Sequence, residues 1–177
     1  LRDVQDCLDA FESLPQPVIA KLRGYCIGGG LLLACCCDFR VADHSTVFHL
    51  PEVQLGIAVL MGTQRLTRIA GIANTKEMVM LAERFDAEKA QSYGLLHSLI
   101  EDEELDEVVE DLAIRFTKLP PRTLSIAKQI IDQGTSMSLR ESQDLEIDLQ
   151  ATLLNSHDFK EGVDAFFEKR SAQFTGE

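Results

Sequence analysis

The sequence predicts an α/β fold, an expectation that rests on three features. Over the first hundred residues short β-prone runs alternate with helical ones, and a glycine triplet, Gly28-Gly29-Gly30, joins one such run directly to a buried apolar helix. Beyond residue 100 strand signals give way to helical periodicity. The 177 residues are enough for one compact domain with an appendage, burying about 70% of the surface of the unfolded chain. The expected organisation is a strand-and-helix core over 1–100 and a helical region over 101–177.

Residues 1–14 place Leu1, Val4, Cys7, Leu8 and Phe11 on one helical face, and Pro15 and Pro17 end the run. The segment 18–23, bounded by Pro17 and Gly24, is a strand that leads through Tyr25-Cys26-Ile27 into the glycines. The run 31–37 lacks β-branched residues, so a buried helix is expected to start within the triplet. Two short strands follow at 38–42 and 46–50, and Pro51-Glu52 opens a turn before Leu55-Gly56. Helical patterns span 62–71 and 75–83; Asp86 is the N-cap of another helix with 89–93 in its body and Gly94 as its C-cap. The apolar run 95–100 is a further strand, after which 103–117, 121–133, 139–154 and 159–169 are helical. Leu124, Ala127, Ile130 and Ile131 form an apolar face larger than a small core needs, which predicts self-association through this region.

Charge and cysteine usage narrow the function classes. Acids outnumber bases 29 to 17, a net charge of −12, and such a field repels nucleic-acid phosphates and anionic lipid surfaces. A polyanionic small ligand would need a local basic pocket. The five cysteines include the consecutive Cys35, Cys36 and Cys37, and side chains adjacent on a helix point about 100° apart, so they neither pair nor chelate together. No metal site is expected, and the cysteines read as small core residues of a protein in a reducing cytoplasm or organelle matrix. The longest apolar stretch, 26–37, is shorter than the ~20 residues of a membrane span. The chain starts at Leu1, so a targeting peptide or longer upstream segment is expected before it.

A glycine triplet at a helix start lets the backbone approach a ligand and leaves several N–H groups without helical partners. Gly28-Gly29-Gly30 is therefore either an oxyanion or anion site or simply a tight turn. The Lys-Ser/Thr end of a phosphate-binding loop and the GxGxxG spacing of a dinucleotide fold are both missing. Glu52 follows a proline in apolar sequence, where desolvation would tune a carboxylate toward general acid–base work; the alternative is a first-turn glutamate facing a helix dipole. His49, three residues before Glu52, is either a catalytic partner or a strand histidine with a satisfied hydrogen bond. Four histidines in all show no ligand spacing.

These residues carry a resemblance. Pro17-Val18-Ile19-Ala20, Gly24-Tyr25-Cys26-Ile27-Gly28-Gly29-Gly30, Cys37-Asp38-Phe39-Arg40-Val41-Ala42, Leu50-Pro51-Glu52-Val53-Gln54-Leu55-Gly56 and Gly62-Thr63-Gln64-Arg65-Leu66 resemble, in order and spacing, the crotonase (enoyl-CoA hydratase/isomerase) superfamily. The match continues through Ala87-Glu88-Lys89-Ala90, Tyr93-Gly94-Leu95 and Phe167-Glu168-Lys169-Arg170. It implies a spiral of ββα turns with C-terminal helices that build a homotrimer or a dimer of trimers. It also implies acyl-CoA substrates, with CoA as part of the substrate and no separate cofactor, and an enolate oxygen held by two backbone N–H groups. Gly29 resembles the second of these donors, while the first belongs to a part of the family pattern upstream of Leu1. Lys169 resembles a C-terminal lysine that reaches a neighbouring subunit's CoA; read alone, it is a solvated helix-end lysine.

The departures from the family pattern bear on the reaction. Hydratases of the family carry a glutamate two residues after the triplet, where this chain has Leu32, whereas the second glutamate matches Glu52. Adding water across a double bond resembles a two-carboxylate task; moving a proton between C2 and C4 needs one base. The family's glycine-rich stretch is replaced by Ala58-Val59-Leu60-Met61, bulkier and more apolar. Leu31, Leu32, Leu60 and Met61 then line an apolar acyl pocket or, equally well on sequence grounds, belong to the core. The resemblance thus implies an enoyl-CoA hydratase/isomerase-type enzyme with an isomerase-like lean, the alternatives being a 2-enoyl-CoA hydratase and a non-catalytic acyl-CoA-binding homologue.

Overall fold

The structure, a computed structural model, describes residues 1–177, which form two compact units. The first comprises Leu1–Leu14 and Val18–Asp111, the second Pro15–Pro17 and Leu112–Glu177. The first unit opens with α1 (Arg2–Glu12), followed by β1 (Ile19–Leu22), β2 (Tyr25–Ile27), α2 (Gly29–Cys35), β3 (Phe39–Asp43) and β4 (Val47–His49). A single 3-10 turn, Glu52–Leu55, leads to α3 (Thr63–Lys76), a π-helical turn Glu77–Leu81, α4 (Ala87–Ser92) and β5 (Ser98–Ile100). Then come α5 (Leu105–Thr117), α6 (Pro121–Gly134), α7 (Leu139–Ala151) and α8 (His157–Glu168).

The strands pair in parallel and divide between two sheets, in the orders β1-β3-β5 and β2-β4. Each circuit of the chain therefore lays one strand in the first sheet and the next in the second, the ββα spiral that the resemblance implied. Ile19 lies opposite Phe39, Val41 opposite Ser98, and Tyr25 opposite Val47. Parallel pairing needs crossover connections, and the short α2 supplies the first. Its Leu31, Leu32, Ala34 and Cys35 join Phe48, Leu50, Leu66, Met78, Phe85 and Leu95 in one continuous core. Phe48 and Phe85 stack with ring centroids 5.5 Å apart.

Cys26, Cys35, Cys36 and Cys37 are buried as small core residues should be, whereas Cys7, on α1, is exposed and not part of the core; none is disulfide-bonded. Burial pushes the Cys26 and Cys35 thiols up to about 12 and Cys36 up to about 11, which keeps them protonated and poor nucleophiles at neutral pH. Asp86 caps α4 by accepting the Lys89 N–H at 2.9 Å, and Gly94 follows that helix with φ 76°. Within α3 the backbone leaves helical geometry at Gly71 (φ 78°, ψ 166°), so two helical stretches meet there as the patterns 62–71 and 75–83 predict, and the second runs on into the π-helical turn. Glycine tolerates that backbone geometry, so the first stretch stops and the second starts with no loop between them.

Arg65, on α3, ties this unit together. Its Nε donates to Glu12 Oε2 at 2.8 Å, its Nη2 pairs with Asp9 and Glu12 on α1, and its Nη1 donates to the Met61 carbonyl. The residue is only 9% exposed, so these partners compensate the desolvation of its charge.

In the second unit Lys169 ends α8 in a left-handed conformation (φ 56°) and turns the tail back along the helix. Arg170 makes a two-pronged pair with Glu161, at 2.6 and 2.8 Å, and the Gln173 N–H donates to the same carboxylate at 2.7 Å. The buried Asp158 accepts from the Thr175 and Gly176 amides at 2.8 and 2.9 Å. Phe166 and Phe167 (78% and 77% exposed) and Ile131 (67%) leave the unit with a large apolar surface. No helix of the structure is long and apolar enough to cross a membrane.

Candidate active site

The glycine triplet and Glu52 meet. Gly28, with φ 51° and ψ −121°, is the N-cap of α2, and its N–H donates to the His49 carbonyl at 2.9 Å. That bond fixes the turn to the end of β4, a few residues ahead of Glu52. The first i→i−4 bond of α2 runs from the Leu32 N–H to the Gly28 carbonyl at 3.1 Å, so the Gly29, Gly30 and Leu31 amides precede the helical ladder. Gly29 and Gly30 are solvent-exposed and Gly28 is buried.

Glu52 begins the 3-10 turn behind Pro51, and Gly56, left-handed at φ 76°, ends it. The Ile57 N–H closes the turn on the Glu52 carbonyl at 3.1 Å. The side chain reaches across to Gly28, where a Cβ would lie 3.0 Å from Oε1. Its other oxygen, Oε2, is buried and accepts no hydrogen bond. A carboxylate used only to cap a turn would have a donor there. Chemically, this is an unengaged carboxylate against the backbone that introduces the unpaired helix-start amides. One group can take a proton while another stabilises the negative charge that results.

His49, the histidine weighed in the sequence, makes one side-chain hydrogen bond. Its Nε2 lies 2.9 Å from the Ala82 carbonyl, the bond of a satisfied strand histidine. The predicted acyl-pocket residues separate. Leu31 is fully buried in the core. Leu32, 7% exposed, packs so closely on Gly62 that a Cβ there would overlap it. Leu60, 49% exposed, and Met61, left-handed at φ 69°, line a cavity of about 370 Å³ together with Gln5, Asp9, Glu12 and Arg65. Glu52 and the triplet are not among the residues lining that cavity. Lys169 is exposed in the second unit.

Sequence reasoning overlooked the anchors. Arg65 was visible only as part of a motif, although Asp9 and Glu12, three apart on one face of α1, are a helical signal for a basic partner. The convergence of His49 and Gln54 on Ala82 left no trace, because it joins positions about thirty residues apart.

A sequence profile described as enoyl-CoA hydratase/isomerase matches residues 2–177. Over 164 residues the chain is 35% identical to crotonyl-CoA hydratase of Syntrophomonas wolfei, covering 92% of this chain and 63% of that protein. It is 36% identical to an enoyl-CoA isomerase/hydratase of Mycosarcoma maydis over 178 residues, 99% of this chain and 65% of the relative. The crystal structure of enoyl-CoA hydratase from Bacillus anthracis superposes with a TM-score of 0.95 at 33% identity, covering 98% of this chain and 68% of that one. The chain thus spans a little under two thirds of the length of these curated relatives.

Proposed function

The chain belongs to the enoyl-CoA hydratase/isomerase family, and from that premise we propose that it acts on an enoyl thioester of coenzyme A and shifts its double bond, with Glu52 as the single acid and base. The observation that carries this reading is the Glu52 carboxylate, its Oε2 buried without a donor and its Oε1 against Gly28, beside amides left unpaired at the start of α2. In the proposed step Glu52 takes a proton from C2 of a 3-enoyl thioester, and the electron pair delocalises onto the thioester oxygen. The Gly29 N–H stabilises that oxyanion. Glu52 then returns the proton at C4, leaving the double bond between C2 and C3, so that no atom is gained or lost. Apart from the CoA of the substrate, the step invokes no cofactor.

The lean toward isomerisation rests on Leu32. Where the resemblance places the hydratases' other glutamate, this chain packs a leucine onto Gly62. Hydration is the second reading, favoured by the hydratase names of relatives such as the Syntrophomonas wolfei protein. Assaying 3-enoyl-CoA isomerisation and 2-enoyl-CoA hydration on one preparation separates them. Isomerisation is expected to be the faster, and hydration outrunning it would overturn the single-base reading.

Two further assignments belong to the same proposal. The exposed Phe166, Phe167 and Ile131 support assembly as a homotrimer or dimer of trimers, and a stable monomer in sedimentation at micromolar concentration would refute it. Lys169, exposed where the chain reverses, is assigned to the phosphates of CoA. Lys169→Ala should weaken CoA binding at low salt by several-fold, roughly what one screened ion pair contributes, and an unchanged Kd would remove the assignment.

A further inference from the structure

Two side chains that flank Glu52 in sequence converge on one backbone atom. His49 Nε2 lies 2.9 Å from the Ala82 carbonyl oxygen, and Gln54 Nε2 donates to the same oxygen at 2.7 Å. A carbonyl has no proton to give, so Nε2 is the protonated nitrogen of His49. Ala82 is 1% exposed and left-handed (φ 49°), the residue at which the π-helical turn Glu77–Leu81 stops. Just beyond it, Phe85 exchanges backbone hydrogen bonds with Phe48, at 2.8 and 3.0 Å. The Ala82–Phe85 stretch is therefore a fixed rail beside β4. The loop carrying Glu52 is tied to that rail once before the glutamate, by His49, and once after it, by Gln54. The backbone carbonyl of His49 also accepts the Gly28 N–H. One residue thus holds both the rail and the glycine turn that Glu52 Oε1 approaches.

We propose that His49 and Gln54 are positioning residues for Glu52, acting through the Ala82 carbonyl to fix where the carboxylate meets Gly28. The inference rests on the role given to Glu52 above. The carbonyl has two lone pairs, and each donor occupies one. Loss of either donor leaves the oxygen bonded; loss of both leaves a buried carbonyl unpaired and the loop untied. The single substitutions are therefore weak and the double one strong, a non-additivity that independent surface contacts do not show.

The test compares His49→Leu, Gln54→Met, the double variant and His49→Gln, which keeps an amide donor at similar reach. The double variant should lose on the order of tenfold to hundredfold in kcat, the scale of an ångström-sized misplacement, with KM nearly unchanged. Each single variant should lose only a few-fold, and His49→Gln should stay close to the parent. Hydrogen exchange at the Gln54, Gly56 and Ile57 amides should accelerate in the double variant, while exchange in β1 and β3 stays slow. The proposal is overturned if the double variant keeps its kcat, if its loss equals the product of the single losses, or if exchange accelerates throughout the first unit. Failure of the underlying reading looks different: Glu52→Gln would then keep full activity, whatever the exchange data show at the loop.

Discussion

Glu52→Gln is expected to lower kcat by at least about a hundredfold, the usual contribution of a positioned general acid–base group, while KM and thioester binding change little. Glutamine has nearly the shape of glutamate but cannot accept the C2 proton and return it at C4. The substitution leaves the Gly29 amide and the surrounding apolar residues in place. Its structural cost is modest, because Oε2 has no hydrogen bond to lose. The amide must still place either its oxygen or its NH₂ at that donor-free position, and a buried unpaired NH₂ costs about 1–3 kcal/mol. Turning the amide so that oxygen takes the Oε2 position avoids this. The variant should therefore stay folded, and its lost turnover then reports chemistry. Steady-state kinetics with 3-enoyl-CoA, set beside calorimetric binding of a saturated acyl-CoA, checks both halves of the expectation. Full activity in Glu52→Gln would dismiss both the isomerase and the hydratase readings, since each assigns this carboxylate a proton.

What was legible in the sequence was local or periodic. The Asp86 cap, the helix ended by Pro15, the strand–glycine–helix junction and the helical run after residue 100 each depend on neighbours a few positions away, and the structure has them all. The break at Gly71 is of the same local kind: a glycine takes the non-helical φ and ψ that separate the two helical stretches of α3. The positive φ angles of Met61 and Ala82 were invisible, since neither residue type favours that region. Each is instead associated with a side-chain donor to its carbonyl, Arg65 for Met61 and His49 with Gln54 for Ala82. Within the site the triplet and Glu52 were both legible as chemistry, but their contact spans twenty-four positions and depends on how β2 and β4 pair. Leu31 and Leu32 show the same limit. They are identical in type and adjacent in sequence and both lie in the core, yet only Leu32 packs against Gly62 so closely that no Cβ fits there.

That contact makes the three glycines unequal, and an alanine placed at each in turn should show it. At Gly30 a Cβ meets nothing within 4 Å and φ is not positive, so Gly30→Ala should leave stability within about 1 kcal/mol of the parent, helix propensity favouring the alanine slightly. Gly28 differs on both counts. Its φ of 51° with ψ of −121° lies outside even the small left-handed region open to other residues, a strain of about 1–3 kcal/mol for alanine. The added Cβ would also stand 3.0 Å from Glu52 Oε1, tighter than ordinary van der Waals contact, so the carboxylate must withdraw or the turn must open. Gly28→Ala should therefore lose stability in chemical denaturation and, through a shift of a few tenths of an ångström at Glu52, lose turnover by on the order of tenfold, less than the roughly hundredfold of a full ångström. If the fall in kcat persists at temperatures where the variant is fully folded, displacement of the carboxylate is its cause. A Gly28→Ala protein with the stability and kcat of Gly30→Ala would mean that Glu52 does not rest against this turn, and the site would have to be rebuilt around another base.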